Sequence, residues 1–172
     1  MTPSWDLFLI IFFIVGTAYG MMMQRERAVA TTLSIYVGLV FTQLFTQPVG
    51  QFFAGERTIN SFFVNTSVSP FSIQAAIFLG TIILVTTKSG IVSGRDSGVS
   101  LLSPFEVMAY AFLNTALMVT TILSYMPAEA RTSIIEQSKM ASYLAHYHTA
   151  WLILPIAALI FFGWNRRPTW QF

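Results

Sequence analysis

Residues 7–23, LFLIIFFIVGTAYGMMM, contain no charged side chain. In water a run of this kind would have to be covered on every side, whereas in a bilayer it needs only the length to cross. A spanning helix takes roughly 20 apolar residues, with a range of about 17–25. The same requirement is met again at 28–50, 71–87 and 105–126, and at 151–164 if that run is started at Tyr147. Hydrocarbon offers the backbone no hydrogen-bond partner, so each run must bond itself, which leaves the α-helix. The expectation is an all-α, polytopic membrane protein forming a single integral domain over 1–172. It has five transmembrane helices, or four if 151–164 lies in the interface.

The composition fits. Charged residues are 9% of the chain and apolar ones 55%, with 16 phenylalanines, against about 25% charged in a soluble domain. Mean hydropathy is +0.66. A single water-soluble core of this size has no room for so much apolar surface, so the lipid bilayer is the expected partner. A net charge of +2, with basic residues scattered and no aromatic–basic stripe, excludes a nucleic-acid surface. The absence of cysteine removes thiolate nucleophiles, zinc–thiolate sites and iron–sulfur clusters. No cofactor is expected. The opening MTPSWD has no Lys or Arg before the apolar run, and no small-residue cleavage site closes that run. The first run therefore reads as a retained helix and not a cleaved signal.

Between the first two runs stands QRER, a charged gap that reads as the tip of a helical hairpin. Basic residues are held on the cytoplasmic side during insertion, so Arg25 and Arg27 place this tip inside. Lys88, Arg95, Arg166 and Arg167 then fall on the same side, and Arg57, Arg131 and Lys139 on the other. This predicts an N-terminus outside and a C-terminus in the cytoplasm.

Other segments fit no span. Pro48 is expected to end the second helix. Residues 51–70 mix phenylalanines with polar residues and suit a re-entrant or interfacial segment, and the Asn65 sequon inside it is read as fortuitous. Residues 128–149 read as one amphipathic interfacial helix: Met140, Leu144, Tyr147 and Trp151 recur at helical spacing, while Lys139, Ser142, His146 and Thr149 take another face.

The polar residues within the runs are the candidates for chemistry. In the fourth run Ser103, Glu106, Tyr110, Asn114, Thr121 and Ser124 share a stripe. Polar groups in a bilayer turn inward, so the stripe either bonds neighbouring helices or lines a polar path in which Glu106 would hold an ion or proton. Glu106 also sits in a helix's first turn, where the dipole favours a carboxylate, and the bonding reading is preferred. Thr31, Ser34, Gly38, Thr42 and Thr46 form a small and polar face in the second run, read as a surface on which a neighbouring helix packs closely, and Gln74, Thr81 and Lys88 line one side of the third. Gly16-x-x-x-Gly20 has the spacing at which two membrane helices approach closely. It serves either internal packing, the preferred reading, or a face for a second copy. Gly90, Gly94 and Gly98 repeat the spacing in a polar loop. The pair His146 and His148 points apart on a helix and lacks acidic company, so metal binding is not expected. No phosphate loop and no Ser-His-Asp set is present. The chain is not expected to be an enzyme.

Two stretches resemble the colicin V production protein family. In WDLFLIIFFIVGTAYGMMMQRERAVATTLSIYVGLVFTQLF the matching positions are Asp6, Gly16, Gly20, Arg25, Arg27, Tyr36 and Gly38. In MPAEARTSIIEQSKMASYLAHY they are Pro127, Ser138, Met140, Tyr143 and Leu144. Together they cover about a third of the chain. The middle departs from the family pattern, with a longer loop carrying Lys88 and Arg95, and 151–164 exceeds the usual four helices. The resemblance implies a bacterial inner-membrane protein of the cell envelope, linked to colicin production or export and to envelope maintenance. It implies no catalytic residue. Beside the lipid bilayer, the partners expected of the chain are other membrane proteins or a second copy of itself. The rival expectation is a small channel or transporter subunit with its polar stripes lining a path.

Overall fold

The computed structural model describes residues 4–22, 25–53, 69–88 and 104–164. Asn65, Arg57, the 89–103 segment with Ser103 and its glycines, and Arg166 and Arg167 lie outside the described residues, as do the side chains of Arg25 and Glu26. Among the described residues all regular structure is helical. There are α1 (Trp5–Met22), α2 (Arg25–Phe53), α3 (Pro70–Lys88), α4 (Pro104–Tyr125), α5 (Ala128–Gln137), α6 (Lys139–His146) and α7 (His148–Trp164). The first four are long and apolar enough to cross a membrane. A fifth crossing results if α6 and α7, which meet at 70°, count as one broken span.

Local sequence explains the starts. The Leu7 N–H donates to Ser4 Oγ at 3.3 Å, giving α1 a side-chain cap. Pro104 opens α4, at a position where a missing N–H costs no helical bond. Expected boundaries are corrected at three places. Pro48 does not end α2, which runs on to Phe53. Proline removes one ladder bond, and membrane helices tolerate that loss where local adjustments and neighbouring groups satisfy the freed carbonyl. The amphipathic stretch 128–149 is not one helix. Ser138 adopts an extended backbone (φ −133°, ψ 118°) and its Oγ accepts from the Ala141 N–H, so the chain stops α5 and caps α6. A second break falls at Tyr147, where α7 turns away.

Helix α4 is the axis of the bundle: 56% of its span is buried, against 11% for α1. It packs against α1, α2, α3, α6 and α7, while α2 lies chiefly along α3. Leu9 and Phe13 of α1 meet Ala116, Val119 and Leu123 of α4, and Ile134, Ala141 and Leu144 of α5 and α6 close this core at one end of the bundle. A second core joins Ile35, Phe78, Ile82 and Leu117. The outer faces are apolar too. Phe8, Ile11, Ile14 and Val15 of α1, Ile83 and Leu84 of α3, and Ile160 and Phe161 of α7 are exposed. So extensive an apolar surface suits lipid as solvent.

Candidate functional site

The glycines decide how closely the helices meet. A Cβ on Gly16 would stand 2.5 Å from Thr115 Oγ1, and one on Gly20 would collide with Ala111. Both therefore seat α1 directly on α4 within the chain. Gly38 does the same for α2 on α3, with Phe78 and Ile82 at 3.2–3.3 Å from its missing Cβ.

The stripe read in the fourth run divides between partners. The Tyr110 hydroxyl donates to Ala158 O of α7 at 3.3 Å, and its ring packs edge-on to Phe162. Asn114 turns to α2: its Nδ2 donates to Ala28 O at 3.0 Å, and its Oδ1 accepts from Thr32 Oγ1 at 2.8 Å. Thr32 shares that single hydroxyl hydrogen with Ala28 O at 3.0 Å. Thr121 is buried with its hydroxyl unpartnered, Ser124 is exposed, and Glu106 is half-buried in the first turn of α4. These residues do not converge on one cavity. The face read in the second run is tied up locally: Thr31, Ser34, Thr42 and Thr46 each donate to the carbonyl four residues back. Thr81 of α3 does likewise, and Lys88 is exposed at the end of that helix.

A cleft of about 430 Å3 opens at the hairpin end of the bundle. Its walls stand apart because α1 packs chiefly on α4 while α2 lies chiefly along α3. Phe12, Gly16 and Tyr19 form one wall. Arg27, Thr31 and Thr87 form the other. Asn114 and Met118 of α4 make the floor. Of the polar residues singled out in α4, only Asn114 reaches this cleft; Glu106, Tyr110 and Thr121 do not line it.

A second polar junction lies at the opposite end. Ser138 Oγ donates to Asp6 Oδ1 at 2.6 Å, and the Met140 N–H donates to the same oxygen at 3.1 Å. The start of α1 thereby caps α6 from outside. No group of His, Asp and Glu among the described residues is arranged to hold a metal. His146 is exposed and His148 half-buried on either side of the Tyr147 break.

Thr32 and Thr115 take part in helix contact without having been singled out from the sequence. The available signal is chemical: a threonine in an apolar run must find an acceptor, and Ala28, small and one turn back from Thr32, leaves its carbonyl open to a neighbouring helix. No protein-family model, no curated protein and no solved structure matches this chain.

Proposed function

We propose that this chain is a multi-pass protein of a bacterial inner membrane, similar to the colicin V production family. In this reading it is a non-enzymatic accessory or scaffold in envelope maintenance or in toxin production and export. Its N-terminus faces outward and its C-terminus the cytoplasm. The observation that carries the reading is the Asp6–Ser138 junction. The resemblance rests on one stretch at the start of the chain and one near its end, and Asp6, Ser138 and Met140 belong to those two stretches and meet in space. Agreement between residues so far apart in sequence is not required by membrane composition alone.

The character of the interior supports the same reading. Most buried hydroxyls are bonded to carbonyls of their own helices or to Asn114, which fits helix packing better than a lined path. The polar residues of α4 face three different surroundings, which disfavours the channel reading.

The test is genetic and biochemical together. Deleting the gene in a bacterium that carries it is expected to raise sensitivity to bile salts and release a periplasmic marker, with rescue by the wild-type gene. An envelope unaffected by the deletion counts against the accessory role. Ion or solute flux through the purified protein in liposomes would replace it with the channel reading.

A further inference from the structure

We propose that the cleft between α1 and the α2–α3 pair binds an anionic membrane phospholipid, with one acyl chain lying along α4 and the phosphate at Arg27. This site is independent of the accessory role.

The first argument is shape. The cleft holds about 430 Å3, within the range of roughly 300–1,000 Å3 typical of small-ligand sites. It begins at the hairpin end and stops inside the bundle. On α1 it reaches from Gly20 to Phe12, a rise of about 12 Å at 1.5 Å per residue, against a hydrocarbon core of about 30 Å. Farther in, the fully buried Ile35, Phe78 and Leu117 fill the space. A solute path needs two mouths, whereas an acyl chain needs one.

The second argument is the chemistry of the wall. Thr31, Thr86 and Thr115 spend their hydroxyl hydrogens on carbonyls of their own helices. Asn114 is held by α2. What faces the cleft is therefore mostly methyl, methylene and ring. A polar solute would find few free partners there, and a hydrocarbon tail needs none.

The third argument is charge and level. Arg27 lines the cleft, is exposed, and stands at the first residue of the α2 span. Among the described residues no carboxylate pairs with it. The guanidinium thus sits where the apolar stretch gives way to the headgroup layer, and a phosphate is its natural bidentate partner. Tyr19, exposed on the facing wall, supplies the aromatic ring favoured at that depth. The apolar depth below Arg27 selects a phospholipid over free phosphate.

The test uses the full chain in mild detergent, titrated with phosphatidylglycerol or phosphatidylcholine of the same acyl chains and read by native mass spectrometry. One lipid should be retained, with phosphatidylglycerol preferred. Arg27→Gln should lower that preference about fivefold, the worth of one basic residue near an anionic surface. Thr87→Trp, a substitution at an exposed position of the mouth, should reduce retention of both lipids, with a thermal melt to establish that the variant folds. Equal retention of the two headgroups by the wild type, or an unchanged preference in Arg27→Gln, overturns the role of Arg27. Undiminished retention by folded Thr87→Trp overturns the cleft. A phosphatidylglycerol with a mid-chain diazirine should label Phe12 or Met118. Labelling confined to the outward residues Ile10 and Ile14 of α1 also overturns the proposal.

Discussion

Ser138 Oγ donates to Asp6 Oδ1 at 2.6 Å, across 132 positions of sequence. The same hydroxyl accepts the Ala141 N–H at 3.0 Å, so one side chain both caps α6 and ties it to the start of α1. Ser138→Ala should cost about 1 kcal/mol, the usual worth of an N-cap. Asp6→Ala should lower the thermal midpoint in detergent, and Asp6→Asn, which keeps an acceptor, should lower it less. Because the two residues share one contact, the Asp6→Ala, Ser138→Ala double variant should lose less than the sum of the single losses. Strict additivity in melts of the four proteins would mean that the junction does not couple them.

The glycines should fall into ranks. Gly16→Ala and Gly20→Ala force α1 off α4, and overpacking of this kind typically costs about 1–3 kcal/mol. Gly38→Ala, with contacts at 3.2–3.3 Å, should cost less. Gly80→Ala meets nothing within 4 Å and serves as a control. Since the obstacle at Gly20 is the Ala111 methyl, Ala111→Gly should restore much of what Gly20→Ala loses. Equal melting of all four single glycine variants would remove the close-approach argument.

Thr32 and Asn114 should be coupled but modestly. Interhelical hydrogen bonds in membranes average about 0.6 kcal/mol in double-mutant cycles. A cycle with Thr32→Val and Asn114→Leu should give a value of that order. A coupling near zero would show that Asn114 is held by Ala28 O alone.

Glu106 is half-buried in the first turn of α4 and does not line the cleft. Glu106→Gln is expected to insert normally and to leave liposome conductance at the background level. A Glu106→Gln variant that folds but changes ion flux would revive the polar-path reading.

Orientation is checked by labelling. A cysteine at Gln24 should be shielded from an impermeant thiol reagent in spheroplasts, and one at Ser4 should react. The reverse pattern inverts the topology and moves the mouth of the cleft to the other leaflet.

The existence of the long helices was legible without coordinates, because the demand is local: an apolar run of sufficient length must satisfy its own backbone whatever surrounds it. The described spans Trp5–Met22, Pro70–Lys88 and Phe105–Tyr125 lie within a few residues of the apolar runs. The close approach read from Gly16 and Gly20 was likewise a matter of what a missing side chain permits, although its partner, Thr115 and Ala111 of α4, was not in the spacing. The tertiary structure decided the rest. A stripe on one helix meets a single surface only if one neighbour covers it. In α4 the stripe is shared, Tyr110 going to α7 and Asn114 to α2, because rotation about each helix axis is set by how all the neighbours pack together. The break at Ser138 belongs to the same class. Apolar periodicity carried 128–149 as one helix, yet an Asp6 carboxylate from the far end of the chain waits at Ser138 and Met140, and a capping bond supplied from outside is invisible to any count made along the segment itself.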